Sequence, residues 1–105
     1  MQPKNTLKTL NHSAYRLHYH VVFVIKYRNK VINEDIMERM QDIFSHVLGK
    51  WGCELSEYGA EEDHVHLLIE AHPSLNLSRM IGNLKTVSAR HIRKEFNEHV
   101  NRYFW

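Results

Sequence analysis

The apolar positions of this chain follow two rhythms, and the switches between them mark out its elements. From Tyr15 to Tyr27 the chain is dense in aromatic and β-branched residues and alternates with a period of two, which predicts a strand. One face carries Leu17, Tyr19, Val21, Phe23 and Ile25, and the other His18, His20, Val22, Val24 and Lys26. Both faces are apolar at the centre, so the strand is expected inside a sheet covered on both sides. After a turn at Arg28-Asn29-Lys30 the rhythm becomes helical. Ile36, Met40, Ile43, Phe44, Val47 and Leu48 line one helix face, with Asn33 as N-cap and Glu34 and Asp35 in the first turn. Gly49 and Gly52 are the expected stop. Cys53 to Tyr58 alternates only weakly and reads as a second strand, Gly59 to Asp63 as a tight connection, and His64 to Ala71 as a third strand that closes an antiparallel hairpin. Beyond His72-Pro73-Ser74, Leu77, Met80, Ile81, Leu84, Val87, His91 and Ile92 return to helical spacing, which predicts a second helix from Leu75 or Leu77 to about Phe96. The stretch from Asn97 to the aromatic finish at Trp105 reads as the start of a further strand.

Residues 1–14 are polar and aperiodic and read as a loose arm. The rest, 15–105, forms one domain of order β-α-β-β-α with a possible last β. That is an α+β, ferredoxin-like arrangement, with helices on one face of an antiparallel sheet and the first and third strands adjacent at its centre. At 105 residues the chain is long enough for one modest core. The longest apolar run, Val21 to Ile25, is far short of a membrane span. A single cysteine, Cys53, excludes an internal disulfide and fits a reducing interior. A formal charge of +2 is too small to imply a nucleic-acid partner without help from local clusters.

The third strand carries the chemistry. In Glu62-Asp63-His64-Val65-His66-Leu67-Leu68-Ile69-Glu70, side chains two apart share a face, so His64 and His66 stand side by side while Val65, Leu67 and Ile69 point into a core. Two neutral imidazoles so placed can close on one divalent ion, with a third ligand from elsewhere. Asp63 or Glu62 can orient an imidazole. The competing reading is a pair of hydrogen-bonded histidines on a half-solvated strand. His18 or His20 of the first strand is a candidate neighbour of the pair.

Three patches together carry a resemblance. They are Tyr19 to Arg28, ending Lys26-Tyr27-Arg28; Asp63-His64-Val65-His66-Leu67-Leu68; and Ile81 to Arg90 followed by Arg93-Lys94-Glu95-Phe96. In this order they resemble the single-tyrosine HUH transposases of small insertion sequences, in which histidine, bulky hydrophobe and histidine correspond to His64, Val65 and His66. The resemblance implies a ferredoxin-like homodimer in the prokaryotic cytoplasm, associated with the nucleoid when bound to DNA and with no membrane role. It implies catalytic His64 and His66 holding Mg²⁺ or Mn²⁺, single-stranded DNA with hairpins as partner, and a tyrosine nucleophile that attacks a phosphate. In the family that tyrosine lies on a further helix beyond the last strand, so 15–105 is expected to lack it; Tyr103 is the only tyrosine after the second helix. DNA contacts are expected from Lys26, Tyr27, Arg28 and Lys30 at the strand exit and from Lys85, Arg90 and Arg93 on the second helix, where an ordinary solvated face would look similar. Two other readings stay open: a hairpin-binding regulator or decayed copy that does not cut, and a small metal-binding ferredoxin-like protein with no nucleic-acid role.

Overall fold

Helix and strand form close to where the two rhythms place them; the connection expected over Gly59 to Asp63 shortens to Glu62 and Asp63, because the second strand runs on to Glu61, and three further differences bear on the site. The structure is a computed structural model that describes residues 16–103. The order is β1 (Leu17–Val24), α1 (Glu34–Lys50), β2 (Glu54–Glu61), β3 (His64–Ala71), α2 (Leu77–Glu95) and α3 (Asn97–Val100), with a 3₁₀ turn at Lys26–Arg28. The arm 1–14, together with Tyr15, Phe104 and Trp105, lies outside the described residues.

α1 is built as its pattern predicts. Asn33 Oδ1 accepts a hydrogen bond from the Ile36 amide at 2.8 Å, which satisfies one of the donors left over at a helix start. Its buried residues are Ile36, Met40, Ile43, Phe44, Val47 and Leu48. Gly49 is still helical, and Gly52, at φ +70°, makes the left-handed exit. In α2, Met80, Leu84 and Ile92 are buried, and so is Ser88, a polar residue in the apolar stripe that returns its hydroxyl to the Lys85 carbonyl at 3.2 Å.

The sheet is antiparallel, in the order β1-β3-β2. β3 is therefore the central strand, and its inward residues Val65, Leu67 and Ile69 are at most 1% exposed. Phe44 of α1 packs between Phe23 and Tyr58, at ring-centroid distances of 5.9 and 6.0 Å. The Tyr58 hydroxyl donates to the Met37 carbonyl at 2.9 Å, and burial pushes the phenol up to about 12. β2 contains a bulge: Leu55 pairs with Ile69 and Glu57 with Leu68, which leaves Ser56 as an extra residue.

The first correction concerns β1. It pairs with β3 alone among the described residues, and Val22 and Val24 are 51% and 52% exposed, so it is an edge strand with one open face. An apolar strand reads the same whether or not a neighbour covers it, which is why its pattern suggested the interior. The second is its end. β1 stops at Val24, and Lys26, Tyr27 and Arg28 form a tight turn in which Tyr27 and Arg28 have φ of 58° and 54°. The third is the segment after α2. No strand begins at Asn97. The chain makes α3, with Val100 buried and donating to the Phe96 carbonyl at 2.9 Å, and His99 Nε2 donates to the Val31 carbonyl at 2.7 Å. Burial of Val100 and the tie at His99 favour the helical turn over an extended strand.

Candidate metal and nucleic-acid site

The face of the sheet turned away from the helices holds the histidines. Ladder register sets Val22 of β1 and Gly59 of β2 on either side of His66, and Val24 and Glu61 on either side of His64. The His64 and His66 rings lie 6.5 Å apart, tilted by 34°. His20 joins them: its ring meets that of His66 nearly at right angles, with centroids 6.0 Å apart. His18 pairs with Glu70, further along the same face.

His64 is oriented from behind. Its Nδ1 donates to Asp63 Oδ1 at 2.8 Å, which places the proton of the neutral ring on Nδ1 and leaves Nε2 with the open lone pair. Asp63 also accepts from Arg28 Nε at 3.1 Å. The hydrogen bond from His64 first, then the nearby Arg28 charge, holds the Asp63 carboxyl below the usual carboxylate range. The turn after β1 is thereby linked to the histidine pair, and the Ile25 amide bonded to the Asp63 carbonyl at 2.8 Å reinforces the link. Arg28 was expected to contact DNA; the structure gives its guanidinium this second engagement.

The donors present suit a divalent ion in kind. His64 has the carboxylate partner typical of a metal-bound imidazole. Two imidazoles in adjacent positions on one ion would bring their ring centroids to roughly 5 Å, given metal–nitrogen bonds of about 2.1 Å. At 6.5 Å the two rings have to lean together first. Among the described residues, no group of three or more His, Cys, Asp or Glu side chains is gathered to hold a metal ion.

The basic residues divide into two settings. Tyr27 is 78% exposed, and Lys26 Nζ lies 5.2 Å from its ring centroid. Lys26 also lines the mouth of an apolar cleft of about 390 Å³ between β1 and the helices, with Lys85 and Arg93 of α2 on the same rim. Arg90 shares the adjoining groove along α2 with Lys85 and Arg93. Fold thus joins the strand exit to the basic stretch of α2, which sequence could only treat as separate patches. Lys30 stands apart, beside Glu61, His99 and Tyr103. Tyr103 is half-buried against the core and 5.6 Å from the His99 ring. Sequence reasoning passed over Gly59, read only as part of a connection; its place opposite His66 depends on hairpin register.

Residues 13–105 match the family of IS200-like transposases. The chain belongs to that family. It is 32% identical over 77 residues to the ISDra2 transposase TnpA of Deinococcus radiodurans, covering 73% of this chain and 55% of that protein. It is 28% identical over 102 residues to the transposase of insertion sequence element IS200 of Salmonella typhimurium, covering 93% of this chain and 67% of that one. A crystal structure from Deinococcus radiodurans, described as a candidate transposase, superposes with a TM-score of 0.76 at 31% identity, over 80% of this chain and 65% of the other. The chain thus spans between about half and two thirds of the length of these relatives. Membership removes the ground for reading it as a metal carrier with no link to transposition.

Proposed function

We propose that this family member is an insertion-sequence transposase that holds a divalent metal ion and cleaves and joins single-stranded DNA bearing hairpins. The observation that carries the reading is the Arg28–Asp63–His64 chain, which orients one imidazole of a side-by-side histidine pair on an open sheet face. His64 and His66 would hold Mg²⁺ or Mn²⁺, with the remaining positions left to water or to groups from elsewhere. The chemistry such an ion supplies when bound is polarisation of a phosphodiester oxygen. Asp63 fixes the tautomer of His64 through one carboxylate oxygen, and Arg28 holds the other. Tyr27, exposed at the turn, offers a face on which an unpaired base can stack. Lys26, Lys85, Arg90 and Arg93 offer phosphate contacts, and a second copy of the chain is the expected partner.

A hairpin-binding regulator that does not cut is the second reading, and two of the described tyrosines bear on it. Tyr58 has its hydroxyl tied to Met37 and its phenol raised to about 12, and Tyr103 is packed against the core, so neither is set up as a nucleophile. Titration of Mn²⁺, followed by proton relaxation, tests the metal pair: His64→Ala should lose the binding seen in the wild type, and equal binding by both would remove it. Gel shifts of hairpin DNA over a salt series test the DNA arm. Lys26→Ala should flatten the salt slope by about one unit. A cleavage assay on the same DNA then separates the two readings.

A further inference from the structure

Across the ladder from His66, the hairpin has a residue with no side chain. Gly59 is the cross-strand partner of His66, and the imidazole lies so close over it that a Cβ on Gly59 would overlap His66 Nε2 and Cε1. Directly opposite residues of an antiparallel pair point to the same side, so any other residue type would put its Cβ where the ring lies. Backbone freedom is not what the position needs. Among the described glycines, only Gly52 has a positive φ, so an L residue fits the backbone at 59. Gly49 and Gly82, by contrast, have nothing within 4 Å of an added Cβ. What Gly59 supplies is room.

We infer that Gly59 sets the resting place of the His66 ring and, through it, the distance between the two imidazoles. The inference rests on the reading of His64 and His66 as the metal pair. With no side chain beneath it, the His66 ring lies across β2 and against His20, while His64 is held by Asp63. The rings consequently stand 6.5 Å apart, wider than two imidazoles bound side by side on one ion would be. An ion that needs both nitrogens binds only molecules in which the rings converge, and its apparent affinity falls with their fraction. A Cβ at position 59 removes the competing placement. His66 is exposed, so its ring swings clear without unpacking the core. Gly59 is thus a positioning residue that acts through His66.

Proton NMR of the whole chain and Mn²⁺ titration together test this. In the wild type, the Gly59 Hα resonances should be shifted upfield by the overlying ring and show nuclear Overhauser effects to His66; absence of both overturns the inference whatever the metal does. Gly59→Ala should bind Mn²⁺ about three- to tenfold more tightly than the wild type, as expected if the converged rings are the minor arrangement, with a melting temperature no lower than the wild type's. Gly82→Ala serves as the control for an added methyl group and should leave the affinity as it was. Equal or weaker binding by Gly59→Ala overturns the inference. If Mn²⁺ broadens neither histidine in the wild type, the metal reading itself falls, and the ring-current and Overhauser signals decide the placement of His66 without it.

Discussion

Tyr27 and Arg28 sit consecutively at φ of 58° and 54°, a backbone region that L side chains enter at a cost of about 1–2 kcal/mol each. The surrounding bonds hold them there: Ile25 donates to Asp63, the Arg28 amide donates to the Ile25 carbonyl at 2.7 Å, and the Arg28 side chain reaches Asp63. The result is a tyrosine 78% exposed on a hydrogen-bonded turn, the form a stacking platform takes. Tyr27→Gly should separate strain from use. Glycine relieves the positive φ but adds freedom to the unfolded chain, so stability should hold to within about 1 kcal/mol. Binding of hairpin DNA should weaken. Calorimetric melting and gel shifts measure the two, and unchanged DNA affinity would make Tyr27 a bystander.

α1 and α2 are tied at one end by Glu95, which accepts from Arg39 Nε at 2.6 Å and Arg39 Nη2 at 3.0 Å, and from His91 Nδ1 at 3.2 Å. The Arg39 hydrogen bond first, then the His91 bond and both charges, lower the Glu95 carboxyl from its ordinary value of 4.5. A carboxyl lowered on folding adds stability that is present above its unfolded value and lost as pH falls through its folded value. Glu95→Gln should therefore melt slightly below the wild type at neutral pH, with the gap closing below 4.5. The gap is modest because the pair is about a third exposed. Melting curves from pH 7 to pH 3 check it. The individual elements were legible where the period is clean and the cap unambiguous. α1 matches its six apolar positions and Asn33, and β3 runs from His64 to Ala71 as read. What lies between elements was not legible. The Arg28–Asp63 bond joins residues 35 apart, the exposure of β1 depends on its neighbours, and Gly59 meets His66 only through strand register.

At the scale of the molecule, the turn after β1 serves two sides. Arg28 reaches Asp63 and through it the histidine face, while Lys26 lines the cleft that Lys85 and Arg93 also border. A nucleic-acid strand lying over this turn would meet phosphate contacts on the cleft side and the imidazole pair on the sheet side, a course consistent with the proposed reading. The overall charge of +2 says little about such binding, because a local cluster sets the field that a phosphate meets. Among the described residues, no helix is long and apolar enough to cross a membrane.

The bulge in β2 makes Ser56 spare chain. Cys53 is buried and Leu55, Tyr58 and Ala60 pack against the core, at spacings of two, three and two, which is why this stretch alternates so weakly in sequence. Removing Ser56 would turn the middle spacing into two, and every residue on either side would keep its face. A chain one residue shorter here should fold with its circular dichroism intact and its melting temperature within a few degrees of the wild type, at the loss of some local twist. The same deletion at Glu62 should unfold the hairpin, because the Glu62 carbonyl accepts from the Ile32 amide at 2.9 Å and the turn between Glu61 and His64 has only Glu62 and Asp63 to span it. Chain length is thus negotiable at Ser56 and fixed at the turn only a few residues away.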